Sequence, residues 1–211
     1  MARLRHELSL KNLIHLNIDF YFGDEWFCPD GTTSIAIPFW LADKTLMSIE
    51  RNMMGFIEGG TEDEFMRLLR HEAGHCVEHA YRLSRDEEWK KCFGNPRVKY
   101  DPDHVKTTPG HPDYVENLGD GYAQTHPEED FAETFAVWLD TENNCWERYR
   151  DQPVVSRKLM CVETLIAARA GVRPRRVSTA RIYEARRMRR TLSRYYDSRV
   201  SAWRLAAASK H

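Results

Sequence analysis

His71-Glu72-Ala73-Gly74-His75 sets two imidazoles four positions apart, with a carboxylate directly after the first. On a helix, residues four apart lie one turn apart on the same face, so both rings can converge on a single ion. Glu72 would sit about 100° round the helix from His71, beside the ion, where it can take a proton from water. This is the HExxH arrangement of zinc hydrolases, and by itself it is incomplete. A catalytic zinc needs three protein ligands and one open position.

The acids of Glu128-Glu129-Asp130-Phe131-Ala132-Glu133 are the candidates for completing it. Attraction to a helix N-terminus accounts for Glu128 and Asp130. It accounts less well for Glu133, a turn further in and flanked by Ala132, Thr134, Phe135 and Ala136. Glu129 and Glu133 share a helix face, and such a pair can provide both a third ligand and an acceptor that orients a ligating imidazole. His126 and Asp130 are rivals for the third position. His79 is one turn beyond His75, but its reach points further along the helix.

The 211 residues suffice for one substantial core plus an appendage. The balance of 42% apolar and 30% charged residues is ordinary for a soluble protein. The net charge of −1 hides an asymmetry: from Gly171 onward twelve Arg and Lys face only Glu184 and Asp197. The five cysteines (28, 76, 92, 145, 161) are odd in number and lack CxxC spacing, so neither a disulfide framework nor a cysteine zinc site is expected. Cys76 reads as a small buried thiol. No run is long enough for a membrane span, and the N-terminus lacks the apolar region of a signal peptide, so a cytoplasmic location is the expectation.

The elements that must position the site follow from periodicity. Leu13–Phe22 alternates, with Ile14, Leu16, Ile18 and Phe20 on one side, and predicts a half-buried strand. Thr33–Trp40 predicts a second strand, which Pro38 confines to a sheet edge or marks with a bulge; such an edge could add an extended peptide or simply be blunted. Ala42–Phe56 predicts a helix with Leu46, Ile49, Met53 and Met54 inward. Thr61 and Glu64 form a capping box that opens the motif helix, which runs to about Ser84. Within it, Gly74 costs about 1 kcal/mol against alanine and so suits close approach of another backbone. A short charged helix includes Trp89 and Lys91. Gly94–Gly121 reads as a long functional loop, with His104 and His111 solvated. Thr125 with Glu128 predicts another capping box, and Phe131, Phe135, Trp138 and Leu139 a stripe on the helix that follows. From Gln152 one or two helices remain, the last arginine-rich.

HEAGH followed by the run from Tyr122 to Ala136, YAQTHPEEDFAETFA, resembles the bacterial family of putative zinc-binding metallopeptidases. These are gluzincin-like and distantly similar to the catalytic domain of anthrax lethal factor. The stretches 24–31, 35–39 and 58–62 carry the same resemblance, which spans roughly residues 13–160. It implies an α+β zincin-like domain over 1–165: a small sheet with an edge strand packed on the HExxH helix, a second ligand helix, and a basic helical extension over 166–211. It also implies roles: His71, His75 and Glu129 as zinc ligands, Glu72 as general base, Glu133 as the carboxylate orienting a histidine, and Tyr122 as an oxyanion donor.

The function expected from these roles is peptide hydrolysis by a water that zinc binds and Glu72 activates. The partner expected is a peptide or protein substrate. Another zinc amide hydrolase would use the same residues. A different reading makes the zinc structural and the tail, with Arg186, Arg187, Arg189, Arg190, Tyr195, Tyr196 and Trp203, a nucleic-acid-binding module. The preferred reading of the tail is a helix that covers the core with a solvated arginine face, so nucleic acid is not expected as a partner. The oligomeric state is not encoded in any of these features.

Overall fold

A computed structural model describes residues 1–101, 105–119, 121–175 and 178–208, with the backbone alone for 205–208. His104 lies outside the described residues. Along the chain come α1 (Ala2–Leu10), β1 (Asp19–Gly23), β2 (Ser34–Pro38), α2 (Lys44–Met54), α3 (Glu62–Tyr81), α4 (Glu87–Phe93), α5 (Pro127–Leu139), α6 (Cys145–Arg148), α7 (Pro153–Ala167) and α8 (Leu192–Ala208). This is a helical protein with one small two-stranded sheet, compatible with an α+β class.

The motif helix α3 forms the centre. Thr61 caps it, with Thr61 Oγ1 accepting from Glu64 N and Glu64 reaching back to Thr61 N, both at 3.2 Å. This reciprocal cap satisfies two N–H groups that a helix start leaves without partners. Leu69, Ala73, Cys76, Val77 and Ala80 are fully buried along it. Its main partner is α5, which is buried throughout from Glu129 to Leu139. The two backbones touch at Gly74, where a Cβ would lie 2.9 Å from Ala132 Cα. Glycine on one helix and alanine on the other bring the axes together, as Gly74 foretells. Arg70, 1% exposed, donates to both oxygens of the buried Glu7 at 2.9 and 2.7 Å and pairs with Asp140 at 3.0 Å. That network ties α1 to α3 and to the end of α5.

The strands depart from expectation. Of the predicted 13–22 strand only the residues from Asp19 onward pair, in a strand that runs one residue further to Gly23, and Ile14 is exposed while Leu13 is buried. The chain turns at Leu13–Leu16, with Leu13 N bonded to Leu8 O and Leu16 N to Leu13 O, before it extends. Sheet order is β1-β2, parallel, with Phe20 opposite Ile35. β2 is not an open edge. All five of its residues are buried, and Ala36 N donates at 2.9 Å to Phe27 O, on the side away from β1. The loop from β1 therefore runs back along β2, and the edge expected to receive a peptide is already occupied. α2 also differs: Met53 is exposed, and Glu50 is its one buried residue among those described.

α5 starts one residue later than predicted. His126 is the N-cap, its Nδ1 accepting from Glu128 N at 3.2 Å, while Thr125 Oγ1 donates to Tyr122 O. The described part of 94–121 contains no helix or strand. His111 there is half-buried, accepting from Asp113 N at 3.2 Å. α1 carries no clear periodic signal in the sequence and is an addition to the expected elements.

The basic segment folds back on the core. Arg181 binds Asp19 through two hydrogen bonds of 2.9 and 2.8 Å, and Arg199 binds the buried Glu50 at 2.8 Å while lying over Trp40. Tyr195 and Tyr196 are each 2% exposed and pack with Trp40. These arginines hold the tail in place, as a covering segment would require.

The α3–α5 contact yields a prediction. Gly74→Ala adds a methyl group against backbone that cannot rotate away. Despite alanine's better helix propensity, it should destabilise by about 1–3 kcal/mol, the usual cost of overpacking. Urea unfolding of the variant against wild type measures this; an unchanged midpoint would contradict the close contact.

Candidate metal centre and cleft

α3 presents His71 and His75, and α5 presents Glu129 and Glu133, at the level where the helices are closest. His71 Nε2 lies 3.0 Å from Glu129 Oε2; His75 Nε2 lies 3.2 Å from the same oxygen and 3.2 Å from His71 Nε2. An ion with tetrahedral bonds of about 2.0–2.1 Å sets its ligand atoms about 3.3 Å apart. The observed triangle has nearly that size, so the three groups fit zinc on geometry as well as on chemistry.

The remaining donors support this. Glu133 accepts from Asn117 N, Asn117 Nδ2 and Leu118 N at 3.2, 3.0 and 3.0 Å, three donors that hold its orientation. His71 Nδ1 lies 2.8 Å from Glu133 Oε1, and donation there would leave the neutral ring's Nε2 lone pair facing His75 and Glu129 for a metal. A proton on one ring serves only part of this triangle, whereas a cation at its centre is held by all three groups. With no ion, burial favours neutral imidazoles but the carboxylates prevail: Glu129 and Glu133 hold His71 well above its ordinary pKa, and Glu129 raises His75. Burial likewise works to raise Glu129, and the two imidazoles outweigh it, holding that carboxylate below its usual range.

The rival ligands are engaged elsewhere. His126 caps α5, and its Nε2 lies 3.1 Å from Val98 O. Asp130 pairs with Lys158 at 2.7 Å. His79 has its Nδ1 3.0 Å from Thr32 O, with its ring stacked 6.5 Å from that of His75.

His71, Glu72, His75, Tyr122 and Glu129 line one cleft of about 530 Å³, with Trp26, Phe27, Cys28 and Tyr100 among its walls. Burial pushes the Glu72 carboxyl up to about 7, against the pull of His71 and His75. The Tyr122 ring sits 5.6 Å from that of His71, and its hydroxyl is 3.1 Å from Tyr100 Oη. Burial first, and then the charge of Glu129, raises the phenol well above its ordinary value, so it remains a proton donor.

Four contributors were not visible in the sequence. Asn117 and Leu118 act largely through backbone N–H groups, which every residue type carries. Tyr100 comes from the long loop, where an aromatic residue has no periodic neighbour to mark it. Tyr183 brings the C-terminal segment to the cleft, held there by Tyr21 Oη donating to Ile182 O at 3.0 Å. Its positive φ of 52° gave no prior sign in the sequence.

Residues 63–152 match the model of a family described as putative zinc-binding metallo-peptidase. The resemblance to that family is thereby shown over a segment that contains all six candidate residues and runs from the start of α3 past α6. It is narrower than the 13–160 read from the sequence and leaves the upstream stretches outside. No curated protein and no solved structure gives a significant match. Zinc is the metal that the match and the ligand set indicate.

The purified protein should hold about one zinc per chain, and His71→Ala, His75→Ala or Glu129→Ala should remove it. Asp130→Ala and His126→Ala should keep it, and Glu133→Gln should weaken binding by about 10- to 100-fold. Metal analysis with a competing chelator reads all of these. Loss of zinc from the His126 variant alone would move the third ligand.

Proposed function

We propose that the chain is a zinc-dependent peptidase whose cleft takes an extended segment of a peptide or protein. The observation that carries this reading is the grouping of Glu72 and Tyr122 with the three ligand residues along one accessible cleft. A purely structural zinc site is closed and has no use for an adjacent base.

When bound, zinc would supply Lewis-acid polarisation of a water and of the scissile carbonyl. The protein's own groups divide the rest. Glu72 accepts the proton from water, and its raised pKa suits transfer near neutrality and delivery to the departing amine. Tyr122 donates to the developing oxyanion, with Tyr100 beside its hydroxyl. Glu133 orients His71, and the N–H groups of Asn117 and Leu118 orient Glu133. Because β2 is closed by Phe27, the substrate is proposed to run along the Trp26–Cys28 rim, not along Ile35–Trp40. The reading of the tail as a covering segment is supported by the pairing of Arg181, Arg190 and Arg199 with Asp19, Asp24 and Glu50.

Cleavage of a diverse peptide library by the zinc-loaded protein tests the reading. Glu72→Gln keeps shape and removes the base, so zinc and folding should survive while hydrolysis largely disappears. Tyr122→Phe should also retain zinc and lose about 100- to 1,000-fold, mainly in kcat with KM nearly unchanged. If both variants cleave at the wild-type rate, neither residue has its proposed role.

A further inference from the structure

Three side chains beside the metal ligands take no part in the hydrolytic scheme. Cys28 Sγ lies 3.5 Å from Cys76 Sγ and 3.6 Å from His79 Nδ1. The two thiols come from positions 48 residues apart, one on the loop after β1 and one on α3. Cys28 is half-buried and lines the cleft, whereas Cys76 is fully enclosed, next in sequence to His75. One thiol is thus open to a small molecule in the cleft, and the other is in contact with it from behind.

We propose that Cys28 and Cys76 are a redox modification site, in which a hydroperoxide entering the cleft oxidises Cys28 and Cys76 then closes a reversible disulfide. The thiolate sulfur of Cys28 attacks the outer oxygen of the hydroperoxide, breaking the O–O bond. This gives Cys28 sulfenic acid and an alkoxide or hydroxide, which takes up a proton. The Cys76 sulfur then attacks the Cys28 sulfur, forming the S–S bond and releasing the hydroxyl as water. In sum, two thiols lose two electrons and two protons, and the hydroperoxide becomes an alcohol, or water, plus water. Geometry assigns the order, since the cleft reaches Cys28 and not Cys76. The same contacts favour the reactive form of Cys28: the hydrogen bond with Cys76 comes first, then that with His79, and both hold the thiol below its ordinary pKa against the effect of burial.

Closure has a structural consequence. A disulfide needs about 2.05 Å between sulfurs, so the pair must approach by roughly 1.5 Å. Cys76 is held mid-helix in the packed core. The movement therefore falls on the Cys28 loop, drawing the Trp26–Cys28 rim towards α3. Oxidation would narrow the cleft without touching a ligand.

The experiment treats the full zinc-loaded chain with equimolar hydrogen peroxide, counts free thiols after unfolding, and maps linked peptides by mass spectrometry. The expected result is early loss of two of the five thiols as a Cys28–Cys76 link, restored by dithiothreitol. Cys28→Ser should abolish the early loss. Cys76→Ala should stop at the sulfenic acid, trapped as a dimedone adduct on Cys28. His79→Ala should slow the first step by about tenfold or more. Should Cys76→Ala not fold, the wild-type map decides alone. Early linkage through Cys92, Cys145 or Cys161, or a Cys28 still reduced when other thiols are consumed, overturns the proposal. Because the readout is thiol chemistry, it holds or fails independently of whether any peptide is cleaved.

Discussion

The contact of Gly74 with Ala132 is the constraint on which the site depends. Side chains of ordinary size at both positions would hold the two helices further apart. Glu129 and Glu133 flank Ala132 at three positions before it and one after, and His71 and His75 flank Gly74 at three before and one after. Moving the axes apart by even an ångström would separate the 3.0 and 3.2 Å approaches of Glu129 to the imidazoles and the 2.8 Å bond of Glu133 to His71. The buried residues around this contact, Ala73, Val77, Phe131 and Phe135, then act as the clamp that keeps it. Since interiors are close-packed, such a clamp resists small displacements in either direction.

Around that contact, the long loop and the tail do what the helices cannot. Helix side chains supply the candidate ligands, but their orientation comes from elsewhere. Besides His71, Glu133 has only Asn117 and Leu118 as partners among the described residues, and a buried polar group without such donors is costly. The wall opposite the ligands is the segment from Trp26 to Cys28, held by its bridge to Ala36 and braced by Tyr183 at a ring distance of 6.2 Å from Phe27. The C-terminal segment is therefore part of the cleft's architecture, pinned by ion pairs to Asp19 and Glu50.

How much of this was legible depends on whether the signal was local. The capping box at Thr61, the 71/75 spacing, the paired acids at 129 and 133 and the small residues that let α3 and α5 meet all lie within a few helical turns, where side-chain identity dictates geometry. No strand forms at Leu13 because alternation is equally compatible with an irregular segment packed on a helix; Leu13 and Ile18 are buried there without any ladder. His126 displaced Thr125 as the cap because an imidazole nitrogen accepts the N–H as well as a hydroxyl does, and Thr125 turns back to Tyr122. β2 carried an edge-strand mark in Pro38, but what covers an edge is set by a loop distant in space. The meeting of Cys28 with Cys76 and His79 has no sequence signature at all, being a product of where that loop returns.

The central claim is that two imidazoles and one carboxylate hold a zinc with a position left open. X-ray absorption at the zinc edge of the reduced, metal-loaded protein tests it most directly. The account predicts a first shell of nitrogen and oxygen alone at about 2.0–2.1 Å, including two imidazoles, with total coordination exceeding the three protein ligands by at least one solvent oxygen. A sulfur scatterer at about 2.3 Å would mean that Cys28 has entered the shell, and a shell completed by a third imidazole would mean that His79 has. Either result would contradict the site described for His71, His75 and Glu129.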